Sequence, residues 1–163
     1  MKNLLQDIEE VLLMGPGPSC VPAEVYWALS QKTLGHLDPY FLSVMDQTQE
    51  LLRCVFQTAN TFTIPVSGTG SAGMETSLCN FIEPGDPVLI CVGGYFGERL
   101  VEIAGRYGAN VRRMDKPWGQ VYRTEEIQAE LKKFHAKIVV LVQGETSTGA
   151  LQQNGFIGLR SAR

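Results

Sequence analysis

Histidine is scarce in this sequence, and metal-ligand spacing is missing. Among 163 residues there are two histidines and four cysteines. Cys20, Cys54, Cys79 and Cys91 are scattered, with no C-x-x-C pair, which argues against a zinc site. Each cysteine has apolar neighbours and is expected to be a buried, reduced thiol. No stretch approaches the roughly 18 consecutive apolar residues of a membrane span. Asp7, Glu9 and Glu10 stand where a signal peptide needs an apolar core, and Ser161-Ala162-Arg163 is not a Ser-Lys-Leu address. The expected compartment is the cytoplasm. There is also no excess of basic charge: 14 Lys and Arg against 17 Asp and Glu leave a net −3, without the footprint of a nucleic-acid binder. What the chain does have is a 44% hydrophobic content, which excludes disorder and suits a packed domain.

The punctuation is dense at the start. Gly15-Pro16-Gly17-Pro18 cannot be helical, so the first 21 residues are expected to form an extended arm. Pro22 suits a first helical position, opening a short helix through Val25, Tyr26 and Leu29. Asp38-Pro39 reads as an N-cap followed by proline at N1. The apolar spacing of Phe41, Val44, Met45, Leu51, Leu52, Val55 and Phe56 then predicts a long amphipathic helix to about Thr58. Strands and helices alternate beyond it. Strands are predicted at Thr61–Ser67, Val88–Val92, Asn110–Met114 and Ile138–Val142, and helices at Met74–Ile82, Phe96–Tyr107 and from a Thr124 cap. Continuous apolar strands between helices imply an α/β fold with a mostly parallel sheet covered on both faces.

One stretch carries chemistry. Ser67-Gly68-Thr69-Gly70-Ser71-Ala72-Gly73-Met74-Glu75 joins a predicted strand to a helix. Glycines there allow close backbone approach, and free amides at the helix start, beside the Thr69 and Ser71 hydroxyls, make an anion site. Gly68-x-Gly70-x-x-Gly73 also matches a dinucleotide fingerprint. That reading needs an acid after the second strand to hold a ribose, and the strand from Val88 ends in Gly93-Gly94 instead. No Gly-Lys-Ser/Thr follows, so a Walker loop is excluded. A single phosphate group remains. Tyr95 or Phe96, after the second strand, is a candidate to face a planar ligand, and Gly144–Gly149 follows the last strand at the same sheet edge.

Five segments in order, Gly15–Pro18, Gly35–Phe41, Ser67–Glu75, Glu83–Asp86 and Gly144–Gly149, resemble the class V aminotransferases, in their alanine–glyoxylate and serine–glyoxylate (serine–pyruvate) branch. The resemblance runs from about Leu12 to Leu151. It implies part of a fold type I aminotransferase large domain at 22–151, an arm at 1–21 and a divergent tail at 152–163. It also implies the cofactor pyridoxal 5′-phosphate, held by Thr69, Gly70 and Ser71 at the phosphate, by Phe96 on the ring face and by Thr146 near the ring oxygen. Pro16 and Gly17 match a stretch lining the substrate pocket. His36 is expected to be structural, and Glu145 receives no assigned role. The implied reaction moves an amino group from a small amino acid, alanine or serine, to glyoxylate or pyruvate, in a homodimer.

The resemblance is incomplete. In the family, the Schiff-base lysine and the acid that pairs with the pyridine nitrogen follow the Gly-Glu-Thr-Ser-Thr-Gly segment. Here the six lysines are at 2, 32, 116, 132, 133 and 137, and neither lysine nor aspartate follows Gly149. The expectation is an amino-terminal fragment that is inactive alone. The competing readings are a non-catalytic phosphate-ligand or dimer-modulating module, and a nicotinamide-binding domain.

Overall fold

The computed structural model describes residues 8–153, and the expectations for the tail beyond Gln153 lie outside these. Contacts divide the chain into two units, 1–65 and 66–163. In the first, the arm at 8–22 holds no helix or strand, and the Gly17–Pro18 peptide is cis. A short helix follows at Ala23–Leu29 (α1); Pro22 is its N-cap and not its first residue, so the helix begins one position later than expected. Pro39–Phe56 (α2) starts as predicted: the Asp38 carboxylate accepts from the Tyr40 N–H at 2.8 Å, with proline at N1. It stops at Gln57, whose left-handed φ of 51° turns the chain out of the helix. The apolar stripe of α2 is present, yet none of its residues is buried.

The expected strand at Thr61–Ser67 does not form. Pro65 removes a ladder donor. The polar groups nearby are used locally instead, with Thr63 Oγ1 donating to the Asn60 carbonyl at 3.0 Å.

The second unit is a three-layer α/β structure. Gly70–Cys79 (α3) precedes Pro87–Val92 (β1), Tyr95–Arg106 (α4), Asn110–Asp115 (β2), Thr124–Lys133 (α5) and Ile138–Val140 (β3). The three strands form a parallel sheet in the order β2-β1-β3, with Val88 beside Val111 and Ile138. A two-residue antiparallel ladder follows, Gly144–Glu145 (β4) with Ala150–Leu151 (β5), where the sequence suggested only a loop. The central strand is buried on both faces, and the period of two assigns its side chains. Val88, Ile90 and Val92 meet Leu78, Ile82, Leu100, Ile103 and Ala104 on the side of α3 and α4. Leu89 and Cys91 meet Tyr122 and Ile127 on the α5 side. Burial pushes the Cys91 thiol up to about 11. Its three counterparts do not follow the expectation: Cys20, Cys54 and Cys79 are free and exposed. Apolar neighbours in sequence did not bring a packing layer over them.

Charged side chains guard the outer strand β2. Arg112 pairs with Glu130 at 2.9 Å, and Arg113 reaches Glu98 at 2.9 Å and Asp115 at 2.6 Å. Thr124 is the first helical residue of α5 rather than its cap, and the Glu126 carboxylate reaches back to the Arg123 N–H at 2.7 Å. Among the described residues no helix is long and apolar enough to cross a membrane.

Two polar devices tie loops to the sheet. The buried Tyr122 hydroxyl donates toward the Val92 and Met114 carbonyls at 2.8 and 2.5 Å. Its backbone exchanges two 2.7 Å bonds with the side chain of Gln152, which is also buried. Tyr122→Phe removes this one O–H donor and leaves the Val92 carbonyl with the Lys116 N–H alone, so it is expected to lower unfolding free energy by about 0.5–1.5 kcal/mol, read from denaturant midpoints. The second device is Lys137, whose ammonium donates to Asp86 at 2.7 Å, while the Asp86 carboxylate also accepts from the Glu83 N–H at 2.8 Å. The lysine first, and that amide second, hold the Asp86 carboxyl below its ordinary value. A depressed carboxyl stabilises the fold above its unfolded pKa, and the contribution disappears as pH falls through its folded value. Lys137→Met should therefore raise the Asp86 pKa in a carboxyl-carbon NMR titration. Its stability deficit relative to wild type should vanish once Asp86 is protonated in both proteins.

Candidate functional site

A parallel sheet delivers its loops to one edge. α3 runs into β1 through the turn at 80–86, and α4 leaves β1 directly, so both helices present their N-termini at the carboxyl end of β1. Gln143 to Gly149 follows β3 to the same edge. Between these segments lies an open cleft of about 630 Å³. Thr69, Gly70 and Ser71 line it from the start of α3, Phe96 from the start of α4, and Thr146 from the last loop. Met74, Leu78, Leu100 and the run Val140–Val142 give it an apolar floor and side.

Five of the residues singled out in the sequence, Thr69, Gly70, Ser71, Phe96 and Thr146, thus share one cavity. Pro16 and Gly17 are exposed on the extended arm of the first unit, and His36 is exposed in that unit as well.

The start of α3 is an open helix N-terminus. Thr69 is its N-cap, with Oγ1 accepting from the Ala72 N–H at 3.4 Å and its carbonyl accepting from the Gly73 N–H at 3.1 Å. The amides of Gly70 and Ser71 precede the first intrahelical bond, so they point outward from the positive end of the helix. None of Gly68, Gly70 and Gly73 has a positive φ, so their use here is space and not backbone freedom. Gly68 relieves a clash, since a Cβ there would lie 2.8 Å from that of Ala72. A Cβ at Gly70 would meet nothing within 4 Å, so this glycine leaves the cleft mouth clear.

The start of α4 is built as a closed one. Its N-cap, Gly94, has no side chain to offer, and a carboxylate from 51 residues further along supplies the acceptor instead. Glu145 Oε2 accepts from the Phe96 and Gly97 amides at 3.1 and 3.2 Å. Oε1 accepts from the Ser147 amide at 3.3 Å and from its hydroxyl at 2.5 Å. The Tyr95 amide donates to that hydroxyl at 3.0 Å, and the Glu98 amide begins the helix proper on the Gly94 carbonyl. Glu145 is only 5% exposed, so the carboxylate has lost nearly all its water and regained it as four protein donors.

Of the two aromatic candidates, Phe96 lines the cleft. Tyr95 stands half-exposed and meets Phe96 edge-on, with ring centroids 5.4 Å apart at 82°. The residue that sequence reasoning left without a role is Glu145. A signal for it was present: a helix starting after Gly93-Gly94 has no side-chain cap of its own, so an acceptor must come from elsewhere.

No family model matches the chain. Individual relatives do. It is 46% identical over 146 residues to (S)-ureidoglycine–glyoxylate transaminase of Bacillus subtilis, covering 90% of this chain and 35% of that protein. It is 42% identical over 142 residues to alanine–glyoxylate aminotransferase of Drosophila melanogaster, covering 87% and 36%. Among solved structures, the alanine–glyoxylate aminotransferase of a Nostoc species superposes with a TM-score of 0.86 at 51% identity, over 94% of this chain and 41% of that one. Ureidoglycine–glyoxylate aminotransferase of Bacillus subtilis gives 0.82 at 46%, over 86% and 36%. The chain therefore spans about a third of the length of the curated relatives it matches. Shared sequence and shared backbone along nearly all of its residues make the chain a member of the class V aminotransferase family, matching the amino-terminal part of that fold.

Proposed function

We propose that the cleft is the phosphate and ring-face portion of a pyridoxal 5′-phosphate site, in an enzyme that moves an amino group from alanine or serine to glyoxylate or pyruvate. The observation that carries this reading is the placement of an open helix N-terminus and a cleft-lining aromatic ring in one cavity. The residues fit the group: outward amides and the Ser71 hydroxyl suit a phosphate, the apolar floor suits a pyridine ring, and Gly70 leaves room for entry. When bound, the cofactor supplies an electron sink for the substrate's α-carbon. This chain's residues orient it: Thr69, Gly70 and Ser71 anchor the phosphate, Phe96 covers a ring face, and Thr146 contacts the ring's polar edge.

Pro16 and Gly17 are proposed to line the substrate pocket, and a cytoplasmic homodimer is the proposed assembly. Names among the relatives support a glyoxylate-using reaction. No lysine follows Gly149, so we propose that residues 1–163 bind the cofactor without turning over substrate, the reacting amine being supplied from outside them.

A single substitution tests the anion site. Ser71→Asp places a carboxylate in the first turn of α3, which favours the helix dipole but repels a phosphate. Thermal stability should hold or rise slightly, while affinity for pyridoxal 5′-phosphate falls by about tenfold or more, the cost of like charges at one site. Titration with NAD under the same conditions should show no comparable binding. Borohydride treatment should leave no pyridoxyl group on any lysine. Equal affinity in Ser71→Asp, or tighter binding of NAD, would end this reading.

A further inference from the structure

Glu145 is buried, yet it does not behave as a spare acid. Its two oxygens take four donors, two from the amides of Phe96 and Gly97 and two from Ser147. A carboxylate has about four acceptor positions, so none is left for a ligand. What the carboxylate does is join two segments. Phe96 belongs to α4 and Thr146 to the loop after β3, and both line the cleft. Glu145 adjoins Thr146 in sequence and grips the backbone of Phe96, so one side chain sets both positions.

The space around it is shaped for this purpose. A Cβ on Gly94 would collide with Glu145 Cγ, would lie 2.5 Å from its Cδ and would lie 2.8 Å from Ser147 Oγ. Gly94 has an extended φ of 177° that any residue adopts, so the glycine is there for closeness and not for backbone freedom. The three leading amides of α4, at Tyr95, Phe96 and Gly97, are all satisfied by Glu145 and Ser147. That helix start carries the carboxylate of its own chain, and a ligand anion is left with α3.

We propose that Glu145 is a positioning residue: its carboxylate clamps the loop after β3 onto the start of α4 and so fixes Phe96 and Thr146 as one wall of the cleft. The assignment of that wall to a cofactor ring rests on the function proposed above. The clamp itself does not.

The test uses the whole 163-residue chain with Glu145→Ala, Glu145→Gln and, leaving the carboxylate in place, Gly94→Ala. Amide hydrogen exchange at Phe96 and Gly97 should quicken about tenfold or more in Glu145→Ala and Gly94→Ala, as expected for a lost charge-assisted hydrogen bond. Glu145→Gln, with one carbonyl acceptor remaining, should restore part of the protection. At saturating pyridoxal 5′-phosphate, the induced circular dichroism per bound cofactor should drop by more than half in Glu145→Ala, reporting a ring no longer held in one orientation. Affinity for inorganic phosphate, followed at the Ser71 amide, should change less than twofold, because α3 is untouched. Unchanged exchange at Phe96 and Gly97 overturns the clamp. Unchanged dichroism overturns its role in orienting the ring, and a parallel loss of phosphate affinity shows general unfolding and overturns it too. Absence of cofactor binding in the wild type would instead defeat the proposed function, and the exchange rates would still decide the clamp. Glu145→Gln, close in shape, keeps the test decisive should the alanine variant fail to fold.

Discussion

The second unit depends on β1 being buried on both faces and flanked by parallel neighbours. A strand so placed has no exposed side, so every residue from Val88 to Val92 must be apolar or nearly so, and the chain must leave the sheet to reach the next strand. Each departure is a helix that starts at the carboxyl edge. α3, running into β1 from the other direction, starts there as well. The convergence of two helix N-termini at the cleft follows from that geometry before any functional residue is considered.

Two positive helix ends at one edge would form an ambiguous anion site. The sequence resolves the ambiguity with a single buried acid. Desolvating Glu145 is costly by itself, but four donors and the helix field offset that cost, and removing the acid would strand the Phe96 and Gly97 amides at the start of α4. At α3 the arrangement is reversed: the cap is a short neutral hydroxyl, the next amides face outward, and Gly70 adds no side chain over them. One N-terminus is satisfied internally and the other is left with capacity.

The parts legible in the sequence were those written in local rules. Asp38-Pro39 announced α2 because cap chemistry lies within two residues, and Val88–Val92 announced a buried strand because burial on both faces leaves a continuous apolar run. The helix after the glycine segment was legible only in part, since it begins at Gly70 with Thr69 as its cap and not at Met74, and local rules left Tyr95 and Phe96 undivided. Thr61–Ser67 was misread because a strand exists only with a partner, and composition cannot say whether one arrives. The exposed Cys54 and Cys79 teach the same lesson for helices: apolar neighbours state a tendency to be covered, and the fold decides the covering. Glu145 was illegible because its role joins residues 48 and 49 positions apart through backbone amides, which carry no residue identity. Only the missing cap after Gly93-Gly94 hinted at it.

The asymmetry of the two helix ends also bears on the kind of ligand. A dinucleotide needs acceptance of two phosphates and a carboxylate for a ribose at the end of the strand after the glycine turn. In this structure that strand ends at Gly93-Gly94, and the one buried acid nearby has every acceptor position engaged in holding α4. It can neither receive a ribose hydroxyl nor yield its helix to a second phosphate without breaking the wall that carries Phe96. The open N-terminus of α3, an apolar floor from Leu78, Leu100 and Val140, and an aromatic ring beside them suit a ligand with one charged end and a flat apolar body. The clamp that orders the wall therefore also narrows what the cleft accepts.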